Sequence, residues 1–204
     1  MNNQFTVSEQ KPVSLYFKDF DGNGTIDPFM FYFNGDTSYP AYSRDDVAQQ
    51  MPMLNKKYLF YPDYAGASLN SMFTQEQIKD VGKLQANQMQ TIYLDNTGKE
   101  FTMRPLQVEA QYAPVCAITS ADINNDGKKD IILAGNNLST RIKFSRYDAN
   151  HAILMLGDGK GNFTYVPQWQ SGLDVQGSVR GLVADKKRLF FGVNDGKVVE
   201  YSWH

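Results

Sequence analysis

The chain has 204 residues, 42% hydrophobic and 21% charged, which is long enough to bury a sizeable core. A net charge of −2 and a pI near 5.7 exclude the basic footprint that nucleic acid or an anionic membrane requires. No run approaches the roughly eighteen apolar residues of a membrane-spanning helix, and a single cysteine excludes an internal disulfide. Aromatic residues, at 13%, favour β-structure.

Residues 1–12 are polar and read as a frayed lead-in or as a strand completing a neighbouring sheet. Val13-Ser14-Leu15-Tyr16-Phe17 and Phe29-Met30-Phe31-Tyr32-Phe33 read as strands. Between them lies an acidic loop, Asp19 to Asp27, and Asn34-Gly35-Asp36 closes the unit as a turn. Residues 43–83 interrupt the β-pattern. Ser43 with Asp46 caps a helix carrying Val47, Met51 and Leu54, which Pro52 shortens or kinks. Thr74 with Gln77 caps a second helix, over Ile78, Val81 and Leu84. Between the two runs an aromatic stretch that includes Tyr58, Phe60, Tyr61 and Tyr64. The insert is expected to pack on the β-core; a lid over a site is the other reading.

Strand character resumes at Gln90–Leu94, turns at Asp95–Lys99 and returns from Phe101. Val115–Ile118, a second acidic loop (Asp122 to Asp130) and Ile131–Ala134 then repeat the first unit. The hairpin Ala152–Leu156 and Phe163–Val166 follows that loop as 90–105 follows the first. A third copy, from Val179 to Tyr201, has Lys186-Lys187-Arg188 in place of an acidic loop, so no metal is expected there. Cys116 reads as a small core residue.

The two loops align position by position. Asp19, Asp21, Asn23 and Asp27 fall over Asp122, Asn124, Asp126 and Asp130 at positions 1, 3, 5 and 9, with glycine at position 6. Hard cations such as Ca²⁺ take six to eight oxygens, which alternating side chains of a tight loop can supply. Thr25 and Lys128, at position 7, would contribute a backbone carbonyl. The helix–loop–helix calcium hand needs a Glu at position 12; here that position is Met30 or Leu133, and the flanks are strands. Two calcium sites are therefore expected.

These motifs, above all Ala121 to Ile131 and Leu156 to Phe163, resemble the FG-GAP/VCBS repeat family of β-propellers. Arg44-Asp45-Asp46 and Arg146-Tyr147-Asp148-Ala149 are similar to the C-terminal part of large FG-GAP/VCBS proteins of Bacteroidetes. The resemblance implies a mostly β partial propeller of about three four-stranded blades with a helical insertion. Repeat 1 would span about 13–106 with its insert at 43–83, repeat 2 about 113–168, and a degenerate repeat 3 about 178–203. It further implies calcium in the inter-strand loops and an extracellular, cell-surface or periplasmic location. Three blades are fewer than the four or more that close a propeller, so the expected partner is the rest of a longer chain, or a second copy.

The expected function is a non-catalytic calcium-binding module for adhesion, binding or scaffolding. The aromatic insert (Tyr58, Phe60, Tyr61, Tyr64) is its candidate face for a protein or glycan. The alternative is part of a polysaccharide-acting enzyme. It finds little support, because the two histidines, His151 and His204, form no recognisable triad or metal motif, and Glu76 and Glu109 read as solvated surface.

Overall fold

The structure is a computed structural model that describes residues 5–140 and 145–204. Strands make up 38% and helices 17%, so the protein is mostly β, built of several antiparallel sheets of which none closes into a barrel. The chain divides into two compact units, one ending at Met89 and one beginning at Gln90. Among the described residues no helix is long and apolar enough to cross a membrane.

In the first unit, β1 (Val13–Lys18), β2 (Asp27–Asn34) and β3 (Thr37–Pro40) form a meander, and β4 (Gly82–Ala86) pairs with the free side of β1. Ser14 lies opposite Phe31 and Tyr16 opposite Phe29, so these residues share one face. Five short helices cover the sheet: α1 (Arg44–Gln50), α2 (Pro52–Lys57), α3 (Tyr61–Ala65), α4 (Leu69–Met72) and α5 (Gln75–Ile78). Their buried side chains, among them Val47, Met51, Leu54 and Met72, join Phe29 and Phe31 in one core. The insert therefore packs on the sheet. The caps form as the sequence predicts, with Ser43 accepting from the Asp46 N–H and Thr74 from the Gln77 N–H. Pro52 goes further than a kink: the chain leaves helical geometry at Met51 and Pro52 begins a separate helix.

The helix predicted through Leu84 stops at Ile78. Asp80 takes a left-handed conformation (φ 58°), and the next residues enter β4, where Leu84 is exposed. Residues 5–12 form no strand, only a turn in which Lys11 donates its N–H to Ser8 Oγ. The lead-in residues 1–4 lie outside the described residues, as do 141–144.

In the second unit, β7 (Val115–Ala121), β8 (Asp130–Gly135), β9 (Ile153–Gly157) and β10 (Phe163–Val166) form a four-stranded meander. A further meander joins β11 (Val179–Asp185), β12 (Arg188–Val193) and β13 (Val199–Ser202). Their first strands, β7 and β11, run close together, and one core containing Ala117, Ile132, Leu154, Leu182 and Phe191 spans both sheets.

Two expectations are corrected here. The hairpin β5 (Ile92–Asn96) and β6 (Phe101–Pro105) does not complete the first sheet. It stands as a two-stranded sheet within the second unit, where Tyr93 meets Phe163 edge to face, and β3 and β4 fill the places predicted for it. Cys116 is exposed rather than in the core, because alternation along β7 sends Ala117 and Ala121 inward and Cys116 and Ile118 out.

Candidate metal centre

Both acidic loops join consecutive antiparallel strands, β1 to β2 and β7 to β8, and they share one hydrogen-bond pattern. The position-5 N–H (Asn23, Asp126) donates to Oδ1 of position 1 at 3.0 Å in each loop. The same N–H also donates to Oδ1 of position 3, at 3.1 Å in each. The glycine N–H at position 6 reaches Oδ2 of Asp19 at 2.8 Å and of Asp122 at 2.9 Å. The position-7 N–H, from Thr25 or Lys128, donates to the side chain of position 5 at 2.8 and 2.9 Å. Finally, the position-2 N–H closes each loop on its last carboxylate, Phe20 on Asp27 and Ile123 on Asp130.

Short polar side chains that capture the backbone two to five residues on are what Asp and Asn do in turns. The left-handed backbone at position 6 (Gly24 φ 87°, Gly127 φ 83°) favours glycine, which has no Cβ to clash. Position 2 anchors each loop. Phe20 is buried and stacks on Phe73 at 4.1 Å, and Ile123 packs against the core shared by the two sheets of the second unit.

The loops differ where a cation would sit. In the first, ligand oxygens of Asp19, Asp21 and Asp27 all lie within 4.8 Å of one another. Among the described residues the second loop shows no such gathering. There position 3 is Asn124, and Lys128 Nζ stands 3.6 Å from Asp126 Oδ2. The N–H of Gly24 holds the Asp19 carboxyl below the usual carboxylate range, and the N–H of Lys128 does the same for Asp126. Both groups are charged at neutral pH; Asp126 is exposed and Asp19 half-buried. A carboxylate offers about four lone-pair sites, so the N–H bonds leave acceptor capacity on the triad.

The ninth positions are buried. Asp130 accepts the N–H of Ile123 at 2.8 Å and that of Gly157 at 2.9 Å, which ties the loop to the end of β9. The approach is tight: a Cβ on Gly157 would stand 2.1 Å from the Lys129 carbonyl oxygen. Asp27 is closed by Phe20 on one oxygen, with Gln50 Nε2 3.5 Å from the other.

Two residues to which the sequence reading gives no individual role take part in turns of the second unit. Asn125, left-handed at φ 58°, donates its side-chain N–H to the His204 carbonyl. Asp158 builds a related turn in the β9–β10 hairpin, where the Asn162 side chain foremost and the Lys160 N–H lower its pKa to about 2. The Gly-Asp-Gly spacing around Asp158 was the available signal.

The candidate ligand face divides. Tyr58 and Tyr64 are buried in the helical core, edge to face at 5.4 Å, while Phe60 and Tyr61 are exposed. Burial raises the Tyr64 hydroxyl pKa, and that hydroxyl donates to the Tyr42 carbonyl. Tyr61 donates to Asp45, which raises its own pKa. Only Phe60 and Tyr61 of the four present their rings to solvent. Glu76 lies exposed on α5, Glu109 is half-buried in a 3-10 turn, and His151 pairs with Asp174 at 2.8 Å.

No protein-family model, curated protein or solved structure matches the chain.

Proposed function

We propose that the chain is a calcium-binding β-propeller segment that serves as a non-catalytic binding or scaffold module of an exported protein. The observation that carries this reading is the shared hydrogen-bond pattern of two loops that lie far apart in the sequence. Chance turns of similar composition would not be expected to reproduce five backbone closures in register. Asp19, Asp21, Asn23 and Asp27 would hold one ion, with the Thr25 carbonyl. Asp122, Asn124, Asp126 and Asp130 would hold another, with the Lys128 carbonyl. The metal would neutralise clustered carboxylates and fix the strand-to-strand connection, a structural role. The meandering sheets of the second unit, with β7 and β11 adjacent, support a blade arrangement. A longer chain or a second copy would supply the missing blades, and calcium-rich surroundings outside the cell or in the periplasm would keep such exposed loops loaded.

Thermal unfolding with calcium or chelator tests the reading. Binding to the folded state alone stabilises by about 2.7 kcal/mol when free ligand is a hundred times Kd. The midpoint should rise in millimolar calcium and fall in EDTA, and the rise should shrink in Asp19→Asn. A midpoint indifferent to both additions removes the metal from the proposal.

A further inference from the structure

The sheet of the first unit carries two adjoining surface clefts, of about 490 and 380 Å³, which share Tyr32 and Asn34 as walls. Tyr32 and Tyr39 are direct cross-strand partners on β2 and β3, so their half-buried rings stand side by side on one face. Phe5 packs on Tyr32 at 5.0 Å and holds its ring in place. The Tyr32 and Tyr39 hydroxyls, the Asn34 amide and the Thr6 hydroxyl form no hydrogen bond among the described residues. Among the described residues that line the clefts the one cation, Lys11, is paired with Asp36 at 2.5 Å.

We infer that this double cleft is a binding site for a neutral glycan chain. Aromatic rings present broad, weakly negative faces that suit the C–H faces of a pyranose. Uncommitted hydroxyl and amide groups both donate and accept, as sugar hydroxyls do. Lys11 already faces Asp36, so among the described residues the lining offers an anionic ligand no unopposed cation. The clefts fall in the size range of small-ligand sites, and two of them side by side suit successive sugar residues rather than one. Phe60 and Tyr61 line neither cleft, so this site is not the exposed part of the aromatic insert. The inference names a ligand class for the binding module proposed above and rests on that part of the reading alone, without the metal.

The test is titration calorimetry of the full chain with cellohexaose, xylohexaose, mannohexaose and maltohexaose, with hexagalacturonate as the anionic counterpart. At least one neutral oligosaccharide should bind with Kd of about 1 mM or tighter. Tyr39→Ala should weaken it about tenfold, as loss of an aromatic anchor does. Asn34→Ala, at the exposed end of β2 and outside the core, should weaken it about fivefold, and Phe60→Ala should leave it unchanged. Melting curves in calcium, run on each variant, separate a lost cleft from a lost fold and from a failed metal site. No neutral oligosaccharide binding, preference for hexagalacturonate, or binding unchanged in both Tyr39→Ala and Asn34→Ala overturns the inference.

Discussion

Asp130 is where the structure makes its most demanding energetic statement. Its side chain is fully buried and its two oxygens accept backbone N–H groups from Ile123 and Gly157. Replacement by Ala removes two hydrogen bonds to a charged acceptor, each contributing about 1.5–3 kcal/mol, and strands the buried Gly157 donor. Against this, the variant no longer desolvates a charge, which recovers part of the loss. The net expectation is about 3 kcal/mol of destabilisation, or roughly 6–12 °C in Tm for a chain of this length. Asp130→Asn keeps one acceptor and opposes a donor to a donor at the other, so about half of the loss is expected. Urea unfolding of both variants, in calcium and again in EDTA, measures this. The lost strut accounts for the cost in EDTA, and in calcium the loss of a proposed ligand adds to it. An Asp130→Ala variant within about 1 kcal/mol of the parent refutes the reasoning, as does a difference confined to calcium.

Two further perturbations test other local claims. The Asp158 carboxyl is depressed to about 2 by its turn, from a usual value of 3.8. A depressed acid contributes stability that is present above the unfolded value and lost as pH falls through the folded one. The gap in urea midpoint between the parent and Asp158→Asn should therefore be constant above about pH 5 and close towards pH 2; a gap that widens on acidification contradicts the assignment. Asn136 is buried at φ 75°, donates to the Asn150 and Gly177 carbonyls and accepts the Asn150 N–H. Asn136→Ala should cost about 3 kcal/mol or more, and Asn136→Gly about 1 kcal/mol less, since glycine takes the left-handed backbone without strain. Equal losses in the two variants would deny the backbone contribution.

Most strands were legible because their residues alternate or run apolar between turn signals. β11, for example, follows Val179–Asp185 as read, and β10 matches Phe163–Val166. What could not be read was which strands pair. β4 (Gly82–Ala86) is exposed apart from its ends, with Lys83 and Gln85 flanking an exposed Leu84, so nothing in its local pattern announces that it lies against β1. The hairpin β5–β6 resembles the outer half of the first sheet only if order along the chain equals order in space, and it does not. Pairing is decided instead by non-local packing, such as Tyr93 on Phe163. The same limit applies to the aromatic insert. Tyr58 ends α2 as its C-cap and Tyr64 lies on α3, and the non-helical stretch Tyr58–Phe60 between the two helices leaves both rings in the core while Phe60 and Tyr61 face out.

The acidic loops were the most legible feature, yet their two halves of information separate in the structure. The backbone closures depend on position 1 capturing N–H groups and on glycine at position 6, and those residue types coincide in both loops. Ligand geometry depends on every carboxylate converging, and here single residues decide. Asp21 in the first loop is Asn124 in the second, and Thr25 becomes Lys128, whose ammonium lies beside Asp126. A lysine at that place supplies in part the positive charge that a cation would otherwise bring. The second loop can therefore keep the closed turn with less charge repulsion to relieve, while the first gathers three carboxylates with no lysine among them. It follows that the shared pattern supports a common loop architecture, and that the metal proposed for it has its strongest ground at Asp19, Asp21 and Asp27.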